Sequence, residues 1–281
     1  MKSENWIKGV FLASRIPNLL IIGITQFLSV NMLIRHGKVE SLTIEFLFLT
    51  LSTMLVAAGG YIINDYYDLK IDMVNRPDKV VVGRDLTRRK ALVAHMSISV
   101  TAIILGLLVS MQVALIHVFS VATLWLYSNQ LRRLLIGKTV IACLTAISIL
   151  LVGFTFEVVS YRLMAFASFG AAIVWSRELI KDMENADGEK AFGVQSMVGV
   201  LGIVVVKWII LIIAAICGLM MAYFIVQVNS TVFTNYYLFT LPIVVIFVFL
   251  LLKADRKQHY KVLRYLTNAL ILIGVLSMLV V

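Results

Sequence analysis

Ten of the fifteen acidic side chains in this 281-residue chain fall in two short segments. The first reads NDYYDLKIDMVNRPDK at residues 64–79, with Asp85 shortly after it. The second reads SRELIKDMENADGEKAFG at residues 176–193. Their spacings match: Asp65, Asp68 and Asp72 in the first, Asp182, Asn185 and Glu189 in the second. At roughly 100° per residue, positions i, i+3 and i+7 share one stripe of a helix. Asn64 extends the first stripe and Glu178 the second, while Glu184 and Asp187 point elsewhere.

Carboxylates and amides on one face supply the oxygen donors that a hard divalent cation prefers. Mg²⁺ characteristically takes one or two carboxylates, keeps several waters and completes its shell with phosphate oxygens. Basic side chains are interleaved with the acids: Arg76, Lys79 and Arg84 after the first motif, Arg177, Lys181 and Lys190 around the second, and Arg132, Arg133 and Lys138 between them. Acids that hold a metal beside cations that hold phosphate describe a diphosphate site.

The elements that must position these residues are greasy. The chain is 61% hydrophobic and 14% charged, against about half and a quarter for a soluble domain. Apolar runs near the ~20 residues that cross a bilayer recur throughout. They predict nine spans, at 16–34, 42–63, 91–110, 113–128, 137–156, 163–182, 207–227, 236–253 and 261–280. No charge marks the split at residues 110–112, and residues 195–206 read as a short interfacial helix. The first span is too long for a signal peptide and lacks a small-residue cleavage site, so it is expected to stay.

With the N-terminus cytoplasmic, every one of the 25 Lys and Arg residues except Arg35, Lys38 and Arg162 falls inside or at an inner helix end. That asymmetry sets the expected orientation: both acidic motifs cytoplasmic, the C-terminus outside. It also accounts for the net charge of +10 through membrane lipids and anionic substrates, without nucleic acid. Four spans separate the two motifs. The expected fold is therefore all-α, a polytopic bundle of two four-helix units in parallel repeat plus a ninth helix, forming one domain over 1–281. The motifs are expected on cytoplasmic loops, about 64–90 and 178–194, at the mouth of that bundle.

A diphosphate at the mouth of an apolar bundle implies a substrate with a long apolar tail. Metal and cationic side chains would stabilise the departing diphosphate. The dry interior would protect the allylic cation left behind until an acceptor captures it. The chemistry this suits is prenyl transfer. Three other classes fit less well. A secondary transporter binds near the midplane on broken helices, where this chain is almost free of acids. A CDP-alcohol phosphotransferase would need an Asp-Gly-x-x-Ala-Arg run that is missing here. A non-catalytic scaffold would have no use for two acidic stripes at the membrane boundary, where charge is costly.

The first motif resembles the NDxxDxxxD signature of the UbiA superfamily of intramembrane prenyltransferases, and RELIKDMENADGEKAFG is similar to that superfamily's second motif. SRIPNLL, with Arg15 and Asn18, and LYSNQLRRLLIGK, with Tyr127, Ser128 and Arg132, extend the likeness over most of the chain. The resemblance implies a nine-helix, multi-pass enzyme of the cell membrane that needs Mg²⁺, with no obligate protein partner. It implies that Asn64, Asp65, Asp68 and Asp72 hold Mg²⁺ and diphosphate, and that Asp182, with Asn185 and Glu189, holds a second ion. Arg76, Lys79, Arg132 and Lys181 would contact phosphate oxygens, and Asn18 and Tyr127 would line the substrate site. Among subfamilies the first motif is most similar to enzymes that prenylate geranylgeranylglyceryl phosphate. The run KVVVGRD after that motif, and Asn185 and Glu189 in the second, depart from them and leave an aromatic quinone precursor as the alternative lipid-soluble acceptor.

The remaining polar residues read as structural. His95 and His117 are expected to be satisfied core histidines, and Lys207 to snorkel to the interface. Gly59 and Gly60 are expected to let helices approach closely, with a bend at the metal site as the other reading. Cys143 and Cys217 lie in apolar spans as small hydrophobes, with no disulfide or metal spacing.

Overall fold

The computed structural model describes residues 6–34, 43–75, 77–131, 134–135, 137–158, 160–191, 193–228 and 231–280; the side chains of residues 75, 187–191, 228 and 233 lie outside that description. Among the described residues there is no strand, and nine helical segments are long and apolar enough to cross a membrane. Each overlaps one of the nine spans expected from hydropathy, the second and sixth running further at their C-terminal ends and the seventh starting ten residues earlier. Large apolar side chains point outward along them, Leu219 at 74% and Phe239 at 80% exposure among the most open. In water such a surface would aggregate; in a bilayer it is the solvent-facing side. The chain groups into two compact units, Met1–Phe27 with Val39–Arg132, and Leu28–Lys38 with Arg133–Val281.

In the first unit, α1 (Trp6–Ala13) and α2 (Ile16–Leu28) lead into α3 (Ile44–Asn75), against which α4 (Arg88–Val109) and α5 (Met111–Asn129) pack. Gly59 and Gly60 permit that packing. A Cβ on Gly59 would lie 3.0 Å from Ser99 Oγ, and one on Gly60 2.8 Å from Leu124 Cδ1. The helix continues through both glycines, so close approach is their role. The histidines are structural, as expected. His95 Nδ1 lies 3.0 Å from the Gly59 carbonyl, and His117 Nε2 lies 2.8 Å from Ser52 Oγ, both buried. Ser110 makes the split that no charge marks: it ends α4 and caps α5, accepting from the Val113 N–H at 3.1 Å.

The first motif is not on a loop. α3 runs past the apolar stretch to Asn75 and stops just before Pro77, which cannot continue a helix. The turn that follows is tightly tied. Val82 and Leu86 are buried with Ala13, Ile62 and Ala91. Gly83 takes a φ of 93°, open to glycine at no steric cost, and donates to the Leu86 carbonyl at 2.7 Å.

In the second unit, a π-helical stretch, Ser29–Ile34, and α6 (Gly137–Thr155) pack against α7 (Tyr161–Ala191). α8 (Met197–Val228), α9 (Thr231–Lys253) and α10 (Lys257–Leu276) complete it. Leu179, Ile180 and Met183 of α7 form its core with Ile210, Phe247, Leu251 and Leu263. The second motif, like the first, extends a helix rather than forming a loop, since α7 runs to Ala191. The segment at 195–206 is the start of α8, set off by a kink at Gly202. The Lys207 ammonium caps the end of α9, donating to the carbonyls of Leu252 at 3.3 Å and of Ala254, the residue just past the helix.

Candidate active site

The first acidic stripe is built on the last three turns of α3. Asn64 Nδ2 donates to Asp68 Oδ2 at 2.6 Å, one helical turn away, as the i, i+4 spacing requires. Asp68 is 5% exposed, and Asp72 one turn further on is half-buried. Asp65 is held by Arg15, whose Nη2 donates to Oδ1 at 2.6 Å. Arg15 sits in the break between α1 and α2 with a φ of 54°, a left-handed conformation rare outside glycine. Its guanidinium also lies over the Tyr61 ring at 4.9 Å. Burial disfavours its charge, but Asp65, Tyr61 and Asp72 more than offset this and hold its pKa above the ordinary arginine value. Arg88 stacks on Tyr66, the residue after Asp65, at 4.4 Å. Asp78 and Asp85 belong to the turn, not the stripe: Arg84 donates to the Asp78 carbonyl and pairs with the Asp85 carboxylate.

The second stripe, on α7, lies deeper. Asp182 is fully buried, and Glu178, Glu184 and Asn185 are 5–8% exposed. Lys138, the second residue of α6 and itself 4% exposed, brings its Nζ to 2.9 Å from Asp182 Oδ1 and 3.8 Å from Glu178 Oε2. Glu178 also accepts from Arg177 at 2.7 Å and from Lys181 at 3.5 Å. Glu184 points away from the stripe, as its spacing requires, and takes Arg264 of α10 at 2.6 and 3.4 Å. Both Asp182 oxygens lack a well-directed hydrogen bond among the described residues, and Oδ2 has no cation beside it.

Of the other expected site residues, Asn18 is half-buried on the first turn of α2, three positions after Arg15, and Tyr127 is buried on α5. Lys79 stands exposed in the turn after α3. Arg76 and Arg132, and the side chain of Glu189, lie outside the described residues. Sequence reasoning missed two partners. Arg15 pairs with an acid 50 positions on, and Lys138 pairs with Asp182. The available signal was a lone cation at the start of an apolar helix, where burial demands a counter-charge.

Among the described residues no three His, Cys, Asp or Glu side chains come close enough to enclose a metal by themselves. Mg²⁺ does not need such a cage, since water and phosphate complete its shell. The donors fit it: the first stripe offers carboxylate and amide oxygens, and in the second a fully buried carboxylate carries an oxygen with no hydrogen-bond partner among the described residues.

Residues 24–271 match the UbiA prenyltransferase family. The digeranylgeranylglyceryl phosphate synthase of Methanobrevibacter smithii is 28% identical over 249 residues, 83% of this chain and 86% of that protein. A UbiA homologue from Aeropyrum pernix K1, solved in its apo form, shares the fold with a TM-score of 0.69 at 15% identity, covering 98% of each chain. A UbiA homologue from Archaeoglobus fulgidus, solved with GPP and Mg²⁺ bound, does so at 0.65 and 12% identity, covering 97% of this chain and all of that one.

Proposed function

The chain belongs to the UbiA prenyltransferase family, and we propose that it transfers a prenyl group from a polyprenyl diphosphate to geranylgeranylglyceryl phosphate, releasing diphosphate. It is a multi-pass membrane prenyltransferase. The observation that carries the finer reading is the stripe of Asn64, Asp65, Asp68 and Asp72 at the end of a membrane-length helix, with Arg15 fixed on Asp65. The similarity to synthases that use a glycerol-phosphate lipid supports the acceptor.

In this reading Asp65, Asp68 and Asp72 hold Mg²⁺ at the first motif, and Asp182, Asn185 and Glu189 hold a second ion. Bound there, Mg²⁺ supplies the positive charge that offsets the charge developing on the leaving diphosphate. Arg15 and Asn64 keep two of the carboxylates oriented. Arg76, Lys79, Arg132 and Lys181 bind phosphate oxygens, and Asn18 and Tyr127 position the substrate. The bond from the allylic carbon to diphosphate oxygen breaks, an acceptor oxygen takes that carbon, and the acceptor proton is lost. The apolar helices keep water from the cation meanwhile. Both motifs lie on the cytoplasmic side, the side that the distribution of Lys and Arg favours.

The test is mass spectrometry of lipid products after incubating purified protein with Mg²⁺, prenyl diphosphates, geranylgeranylglyceryl phosphate and an aromatic quinone precursor. The expected product is the doubly prenylated glycerol phosphate, abolished by EDTA. An aromatic product alone would overturn the acceptor, and full turnover in EDTA would overturn the metal site. Cysteines placed at Arg84 should react only from the cytoplasmic side and one at Lys38 only from outside; the reverse would overturn the orientation.

A further inference from the structure

We propose that Lys138 is the resident cation of the second motif. Its ammonium neutralises Asp182 from within the protein and thereby weakens metal binding there. The proposal rests on the reading of Asp182 as a metal ligand.

A buried ammonium is costly unless partners surround it. Lys138 meets that demand with Asp182 at 2.9 Å and Glu178 at 3.8 Å, on consecutive turns of α7. Glu178 is shared further with Arg177 and Lys181. Among the described residues, three cations thus meet two carboxylates, and Asn185, the next stripe position, is neutral.

The carboxylate of Asp182 is nonetheless half open. It is fully buried, Lys138 lies beside Oδ1, and among the described residues Oδ2 has no hydrogen-bond partner. An orphaned buried oxygen is costly and marks a position for a ligand. A metal on Oδ2 would share one carboxylate with the Lys138 ammonium, and the two positive charges would repel across a few ångströms. Lys138 therefore sets the metal affinity of this motif. Entry of an ion is favoured when an anionic phosphate accompanies it and restores the balance. A purely architectural role, tying α6 to α7, would leave metal binding unaltered.

The experiment is Mn²⁺ binding to the purified full chain in detergent without substrate, followed by electron paramagnetic resonance, together with thermal melting with and without Mg²⁺. Wild type is compared with Lys138→Met, Lys138→Gln, and each combined with Asp182→Asn. Removing one unit charge about 5 Å from a divalent ion should tighten binding at least ~10-fold even at the dielectric of water. Both single variants should gain a Mn²⁺ site that much tighter than wild type shows at this motif. Their melting temperatures should rise with Mg²⁺ more than the wild-type value does, because the ion replaces the lost ammonium. Unchanged or weaker Mn²⁺ binding in both variants would overturn the proposal, as would failure of both to fold in Mg²⁺ as well as without it. A tight site that survives Asp182→Asn would instead overturn the reading of Asp182 as a ligand.

Discussion

The two acidic motifs share a spacing and differ in what surrounds it. On α3 the stripe carries three carboxylates, with an arginine from the preceding helix break on Asp65 and an amide on Asp68. On α7 the stripe is sunk into the unit's core, and protein cations lie against every described acid: Lys138 on Asp182, Arg177 and Lys181 on Glu178, Arg264 on Glu184. The same i, i+3, i+7 pattern is therefore braced by an arginine and an amide on α3 and by lysines and arginines on α7. Spacing decides which side chains share a face; their neighbours decide what that face binds.

The largest effects should come from removing the carboxylates themselves. Asp182→Ala is expected to abolish turnover, and Asp68→Asn or Asp65→Asn to lower it at least ~100-fold, since each takes a charged ligand from Mg²⁺. Initial rates at saturating Mg²⁺ and prenyl diphosphate measure this. A normal rate for Asp182→Ala would reduce the second motif to a structural ion pair and end the comparison.

Arg264 separates charge balance from chemistry. Its pair with Glu184 is buried and lies off the stripe, so Arg264→Met leaves an unpaired carboxylate at a cost of about 3–5 kcal/mol. The expected result is a lower melting temperature with Mg²⁺ dependence unaltered at a temperature where the variant is folded. A shift in the Mg²⁺ requirement would bring Glu184 into the metal site. Arg15→Gln should be milder for the fold and reach the chemistry: Asp65 loses its charged partner, and turnover should fall roughly 10-fold, in proportion to one charge-assisted hydrogen bond. Wild-type turnover would show that Asp65 needs no orienting group.

Much of this was legible in the sequence because it is local. Hydropathy located the nine spans, and periodicity put Asn64 over Asp68 and Glu178 over Asp182, since a helix fixes which positions meet. Periodicity also implied that both motifs are helical, and the loops assigned to them misjudged how far polar residues can extend a membrane helix beyond its apolar stretch. The pairings that distinguish the motifs were not legible. Arg15 is 50 positions from Asp65, and Lys138 lies on a different helix from Asp182. Those contacts depend on how α2 is rotated after the break at Arg15, and on which face of α6 meets α7. Tertiary packing sets such rotations, and local sequence does not encode them. The caps showed the same limit, as Lys207 reaches the end of α9 through packing alone.

The smallest expected effect tests the comparison most directly. Asn185 is the stripe position where the second motif lacks a charge, and it is 5% exposed one turn from Asp182. An amide oxygen can ligate a hard cation but adds no net charge. Asn185→Asp would give α7 the three acids that α3 has, in a neighbourhood where Lys138 and Lys181 already supply positive charge to receive a third carboxylate. The substitution should therefore be tolerated, and part of the ammonium's charge should shift from Asp182 to the new acid. The Mg²⁺ concentration for half-maximal turnover should fall about 3-fold, a modest change because the added charge acts through a partly compensated site. Asn185→Ala should raise it by a similar factor. Tighter metal binding should also slow diphosphate release, so the maximal rate of Asn185→Asp should not exceed that of wild type. A Mg²⁺ titration of turnover at saturating prenyl diphosphate decides the matter. An unmoved midpoint in both variants would mean that the neutral residue at this position is not what sets the second motif apart.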